Sequence, residues 1–233
     1  CLVDIGGGTT DIAIFYDNII RHTAVIPLGG NIITADIKEG CMLMQNQAEL
    51  LKTKFGKAIA EEANPNEIVS IPGLRGRPAK EISIRNLANI IQARMEEIIE
   101  IVQNEIIQSG YYKKLAGGIV LTGGGSQLQF ISQLFEYMTG LDTRIGFPNE
   151  HLGKSVIEEV KSPMYATTVG LVLAGFKSID TREDEYNKRR ANTGQRPKLM
   201  QKREAVFHGF FKNITEKMKT FINADIGEDD NYK

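Results

Sequence analysis

The sequence predicts an α/β domain. Three observations carry this: apolar strand-like runs alternate with stretches of helical periodicity, two of the runs end in triple-glycine turns, and the composition supports a sizeable core. The 233 residues suffice for one large α/β domain or two small ones. At 42% hydrophobic and 24% charged, the chain is neither a disordered nor a collagen-like polymer. Its 28 Lys and Arg against 29 Asp and Glu leave no global field to draw nucleic acid. Cys1 and Cys41 lack CxxC spacing, so no zinc site or disulfide framework is expected, and a reducing compartment is the default. No run reaches the roughly 18 apolar residues needed to span a bilayer. Residue 1 is not Met and the sequence opens inside an apolar strand pattern, so it reads as the C-terminal part of a longer protein.

Residues 1–5 and 11–16 read as strands flanking a glycine loop, and 19–27 as a third, with Asp17-Asn18 as the turn and Ile12, Ile14, Ile19 and Val25 as apolar positions. From about residue 29 to 55 the pattern is helical, as two helices broken near Asn46. Segments 67–71 and 80–84 read as paired strands joined by the Gly/Pro/Arg-rich loop 72–79. Over 85–109, Leu87, Ile91, Met95, Ile98, Val102 and Ile106 recur at the three- and four-residue spacing of a long helix, which Gly110 stops. Residues 119–122 form a short buried strand running into Gly123-Gly124-Gly125. Leu128, Ile131, Leu134, Phe135 and Met138 then mark a helix. Ser162-Pro163 supplies a capping hydroxyl followed by Pro in the first turn, starting a helix expected to run to about Phe176.

Composition changes at Asp180. Residues 180–203 hold eight Lys/Arg and four Asp/Glu with almost no core-forming side chain, the signature of a solvated linker. An amphipathic stretch occupies 204–222, and 223–233 is a short acidic tail.

The chemistry is concentrated in the glycine turns. In Asp4-Ile5-Gly6-Gly7-Gly8-Thr9-Thr10-Asp11, three glycines let the backbone approach a ligand closely, and the N–H groups of such a turn can cradle phosphate oxygens, with the Thr hydroxyls as further donors. Asp4, ending a buried strand, is placed to hold the hydration shell of a Mg²⁺ ion or to orient an attacking water; the plain alternative is a tight hairpin. The second turn, Gly123-Gly124-Gly125-Ser126, links a strand to a helix, where glycines admit a flat base or a phosphate near a helix N-terminus. Neither turn has the Walker A or the G-x-G-x-x-G spacing.

The order D-x-G-G-G-T-T-D, P-L-G-G-N, a helix bearing Ala48-Glu49-Leu50-Leu51-Lys52, I-V-L-T-G-G-G and S-P-M-Y-A-T-T-V-G-L resembles the C-terminal half of actin-superfamily ATP-binding proteins, and within them the bacterial cell-division family FtsA. The resemblance covers about residues 1–176. It implies an actin-like, ribonuclease-H-type fold. The nucleotide-binding core would take 1–63 and 111–179, and a small α+β subdomain 64–110. It implies ATP and Mg²⁺ as cofactors, with Asp4 on the metal side through water. Gly6, Gly7, Gly8, Thr9 and Thr10 would form the phosphate cradle, Glu49 and Lys52 would reach the nucleoside, and Gly123, Gly124, Gly125 and Ser126 would form the adenosine loop. Glu49 and Lys52 also fit an ordinary solvated helix pair. The resemblance further implies self-association into filaments and binding of the C-terminal peptide of FtsZ by the small subdomain. Arg94 is the single candidate for that contact, beside Arg75 and Arg77 of the hairpin loop. A sugar-kinase-like phosphoryl-transfer enzyme or a pilus-assembly or shape-determining actin relative are the alternatives, and any ATPase activity would be weak.

On a helical wheel at about 100° per residue, Phe207, Phe210, Phe211, Ile214, Met218, Phe221 and Ile222 fall on one side of 204–222, with Lys212, Glu216 and Lys219 opposite. An apolar face this rich, beyond a charged segment of net +4, reads as a helix lying in an anionic membrane surface, with docking on a partner or on its own domain as the alternative. With the resemblance, this places the protein on the cytoplasmic side of the cell membrane, at the division site. Deleting 204–233 from the full-length protein is expected to leave it in the supernatant when anionic liposomes are sedimented; unchanged sedimentation contradicts the anchor.

Overall fold

The computed structural model describes residues 1–73, 78–149, 152 and 158–193. The membrane face from Phe207 to Ile222, the acidic tail, residues 194–203 and Arg75 and Arg77 lie outside the described residues. The chain divides into two units, Cys1–Ala174 and Gly175–Lys233.

The first unit is built on a five-stranded sheet. Its strands are β1 (Leu2–Ile5), β2 (Thr10–Tyr16), β3 (Ile19–Ile26), β6 (Ile119–Thr122) and β7 (Thr143–Ile145), in the order β3-β2-β1-β6-β7. The first three pair antiparallel through short turns, and β1, β6 and β7 pair in parallel. Two further strands, β4 (Ile68–Ile71) and β5 (Lys80–Ser83), form a separate antiparallel hairpin.

Alternation along the strands decides the faces. Val3, Ile5, Ile12, Ile14, Ile26, Ile119 and Leu121 are buried on one side, in a single core with residues from the helices α1 (Gly30–Gly40), α2 (Gln45–Phe55), α3 (Ile84–Gln108) and α4 (Ile131–Thr139). The expected stripe of α3 is buried as a set: Leu87, Ile91, Met95, Ile98, Val102 and Ile106 are inaccessible to solvent. The opposite side chains of β1 and β6, Leu2, Asp4, Val120 and Thr122, line a cavity of about 390 Å³ with Ala166, Thr167, Val169, Gly170 and Leu173 from the start of α5 (Ala166–Thr193).

The structure differs from expectation in three places. The break between α1 and α2 falls at 41–44 rather than near Asn46, where Met42 adopts φ 48°. The strand β7 carries no readable signal: three residues with Arg144 in the middle are too short to show alternation, and the strand is fixed by its neighbour, through Ile119 N–H to Asp142 O (2.8 Å) and Gly146 N–H to Leu121 O (2.7 Å). Helix α5, expected to end near Phe176, continues to Thr193 and so takes in residues 180–193 of the expected linker. Their charge marks solvation, but Arg, Glu, Lys and Ala are also good helix formers, and no Gly or Pro interrupts the run before Gly194.

Phe135 is fully buried at the centre of α4, whereas Tyr137 is 87% exposed two residues on. Phe135→Ala is expected to cost about 3–5 kcal/mol and Tyr137→Ala less than about 0.5 kcal/mol in urea unfolding of the chain. Similar losses at both positions would place the core elsewhere.

Candidate functional site

The site follows from topology. After β1 the chain turns to β2 on one side, and after β6 it crosses through α4 to β7 on the other, so a crevice opens where the order reverses, at the carboxyl ends of two adjacent parallel strands. Both triple-glycine turns stand there. A cavity of about 370 Å³ is lined by Gly6 and Gly7 from the first, Gly124 and Gly125 from the second, Asn31 from α1, and Glu49 and Lys52 from α2. The volume lies in the range of small-molecule sites.

The first turn is braced from behind. Gly6 N–H donates to Thr9 O (2.9 Å), closing the turn. The first amides of α1, which have no partners inside their own helix, donate outward: Gly30 N–H to Gly6 O (2.9 Å) and Asn31 N–H to Gly7 O (2.7 Å). A trans peptide points its N–H away from its C=O. With the carbonyls of Gly6 and Gly7 fixed toward α1, the N–H groups of Gly7 and Gly8 face away from it, and neither finds a protein acceptor among the described residues. The close approach leaves no room for a side chain at Gly29, whose Cβ would lie 2.7 Å from Gly6 O and 2.9 Å from Gly7 O.

The second turn is locked to the first strand. Gly123 has φ +81°, and a Cβ on it would meet Asp4 Oδ1 at 2.3 Å and Ile5 O at 2.6 Å. Its N–H donates to Pro163 O (3.1 Å), which ties the turn to the segment leading into α5.

On the α2 side, Lys52 and Glu49 form an i,i+3 ion pair with Nζ and Oε2 2.8 Å apart. Lys52 is only 12% exposed, and Nζ also donates to Gly30 O (2.8 Å) and Thr34 Oγ1 (2.8 Å). Glu49 is 47% exposed and accepts from Thr34 Oγ1 as well. Partial burial pushes its carboxyl up, but hydrogen bonds from Lys52 and Thr34 and the Lys52 charge outweigh that, and its pKa falls below the ordinary glutamate value.

The structure sorts the expected site residues into groups. Gly6, Gly7, Gly124, Gly125, Glu49 and Lys52 line the cleft. Gly8 and Thr9 are exposed at the turn, with Thr9 Oγ1 donating to Asp11 Oδ2 (2.9 Å). Thr10 and Ser126 are buried, and their hydroxyls are spent on backbone: Thr10 on Leu28 O (2.8 Å) and Ser126 on Gly123 O (2.8 Å). Asp4 faces the cavity beside α5, where Oδ2 accepts from Thr167 Oγ1 (2.7 Å). Asn31, Leu128, Gln129 and Met164 also line the cleft and were not expected. Asn31 and Met164 stand inside the motifs P-L-G-G-N and S-P-M-Y, whereas Leu128 and Gln129 carry no site signal of their own. Arg94 is engaged already: Nε and Nη2 grip Asp36 at 2.6 and 3.0 Å, and Nη1 pairs with Glu97. The Asp36 contact, foremost, raises its pKa.

A sequence profile described as "Cell division protein FtsA" matches residues 1–170. The chain belongs to the FtsA family. The FtsA of Pseudomonas aeruginosa is 40% identical over 177 residues, covering 76% of this chain and 42% of that protein. That of Escherichia coli is 36% identical over 196 residues, 81% of this chain and 46% of the other. That of Bacillus subtilis is 38% identical over 171 residues, 73% and 37%. The chain thus spans less than half the length of these FtsA relatives. Among solved structures, MreB 5 of Spiroplasma citri bound to AMPPNP superposes with a TM-score of 0.60 at 21% identity, over 79% of this chain and 54% of that one. The PilM-PilN type IV pilus biogenesis complex gives 0.55 at 18%, over 75% and 45%. These fix the fold as actin-like. Among the described residues no helix is long and apolar enough to cross a membrane.

Gly123→Ala is expected to destabilise the protein by roughly 1–3 kcal/mol, the cost of a non-glycine residue held in a strained backbone region. Gly8→Ala, with open space around its Cβ, is expected to change stability by less than about 1 kcal/mol. Equal melting temperatures for the two variants would contradict the packing of the second turn on β1.

Proposed function

We propose that the full-length protein binds ATP in this cleft, self-associates in an actin-like manner and tethers FtsZ filaments to the cytoplasmic face of the cell membrane at the division site. The observation that carries the nucleotide part is the convergence of two glycine turns, one with unpartnered amides and one open to a flat ligand, on a single cleft with Glu49 and Lys52 on its far side. The Gly7 and Gly8 amides fit phosphate oxygens, and Gly124, whose Cβ would meet nothing within 4 Å, leaves space for a base or ribose against the backbone, while Gly125 is packed against Ile5. Glu49 keeps Oε1 free as an acceptor for a ribose hydroxyl. Asp4 lines the neighbouring cavity rather than the cleft and accepts from Thr167 there; it is the proposed metal-side acid because a single carboxylate at the end of β1 suits a magnesium ion held mainly by water and phosphate. Bound nucleotide supplies charge and bulk at the cleft, and this chain's part is to bind and orient it.

The tether rests on two further supports: membership of the FtsA family and the apolar face of 204–222. For FtsZ, the proposed contact is Arg94, which would exchange Asp36 for a carboxylate of the incoming peptide.

Gly124 is exposed, and a Cβ there meets nothing within 4 Å. Gly124→Glu should therefore place a charged side chain in the cleft without disturbing the fold. Calorimetric titration of the full-length protein with ATP is expected to show binding that this variant loses, at an unchanged melting temperature. Retained binding in the variant contradicts the assignment of the cleft.

A further inference from the structure

The hydrogen bonds around Lys52 run toward the first glycine turn rather than into open space. An ammonium has three protons. Lys52 Nζ donates to Gly30 O and to Thr34 Oγ1, each at 2.8 Å, and is ion-paired with Glu49 Oε2 at 2.8 Å. Two of its three protons are thus directed at acceptors on α1.

The bond to Gly30 O leads somewhere specific. That carbonyl shares its peptide with the N–H of Asn31, which donates to Gly7 O at 2.7 Å. The Gly7 carbonyl in turn shares its peptide with the N–H of Gly8, which is exposed and has no protein acceptor among the described residues. Since each trans peptide points C=O and N–H in opposite directions, the ammonium and the two peptides stand head to tail. Hydrogen bonds in such a chain polarise one another, and a charged donor at its head strengthens the set. Glu49, ion-paired at 2.8 Å, offsets part of the charge.

Resting on the nucleotide reading above, we propose that Lys52 is a positioning residue that acts on the ligand's phosphates without touching them, by polarising the peptides 30–31 and 7–8 and so making the Gly8 amide a stronger donor. The nucleoside side of the cleft and its phosphate side are then coupled through the backbone. A lysine reaching the ribose directly would leave no such coupling.

The two roles separate by ligand. Isothermal titrations of the full-length protein use ATP, ADP and adenosine, with Lys52→Met as the variant. The relay predicts that ATP affinity drops about tenfold or more, the scale of a charge-assisted hydrogen bond, ADP by less, and adenosine by less than about twofold. Lys52→Arg, which keeps a cation and donors, should restore most of the ATP-to-adenosine ratio. Lys52→Gln, which keeps a donor and loses the charge, should show the same selective loss if the methionine variant does not fold. An equal loss for ATP and adenosine overturns the relay in favour of direct ribose contact, and no loss for either overturns it outright. Failure of the unsubstituted protein to bind ATP at all overturns the nucleotide reading itself, a result distinct from the variant comparison.

Discussion

Leu2, Val3 and Asp4 pair in parallel with Val120, Leu121 and Thr122, and that register governs the rest of the molecule. Parallel strands end on the same edge of a sheet. Two glycine turns far apart in sequence therefore emerge side by side, and the long excursion between them, α1 to α3 with the β4-β5 hairpin, must leave and return over one face. A slip of one residue would put Val3 and Ile5 on the face of Leu2 and Asp4 and exchange core for cavity. The apolar core thus sets the register, and the register sets the cleft.

The stiffness of the first turn comes from a reciprocal need. The opening amides of α1 lack helical partners, and the carbonyls of Gly6 and Gly7 would otherwise lack theirs. Gly30 is buried, where an unmet amide costs about 1–3 kcal/mol, so the loop supplies an acceptor that the helix lacks. The same bonds leave the Gly7 and Gly8 amides open. A turn held in this way before any ligand arrives loses little conformational freedom when one binds. Gly29 belongs to the arrangement as much as the turn does, because only a residue without a side chain allows the segment entering α1 to come so close.

Much of this is legible in the residues. The strand pattern of 1–26, the α3 stripe and both glycine turns follow from periodicity and spacing, because each depends on near neighbours in the chain. What is not legible depends on contacts made across the fold. Strand β7 exists because β6 offers it an edge. Thr10 and Ser126 look like donors in a linear motif, yet the chain folds their hydroxyls onto Leu28 and Gly123. The extension of α5 past Phe176 shows a further limit: charge density reports solvation, and a solvated segment can still be helical. The motif around Glu49 and Lys52 marks the two side chains without revealing that Lys52 donates to Gly30 O and Thr34 Oγ1 on α1.

Magnitudes separate what stabilises the helices from what orients them. Burying a residue such as Ile33, Ile37, Leu87 or Ile91 contributes about 1.5–3 kcal/mol, and all four lie in the core shared by α1 and α3. The Arg94–Asp36 pair joins the same two helices, but about a quarter of each side chain is exposed, where ion pairs contribute only about 0–1 kcal/mol. The core therefore holds α1 against α3 with or without that pair. The bidentate grip on Asp36, with Nη1 paired to Glu97 as well, instead fixes the plane of the guanidinium where α1 meets α3. The pair therefore orients a side chain on a contact that the core has already made.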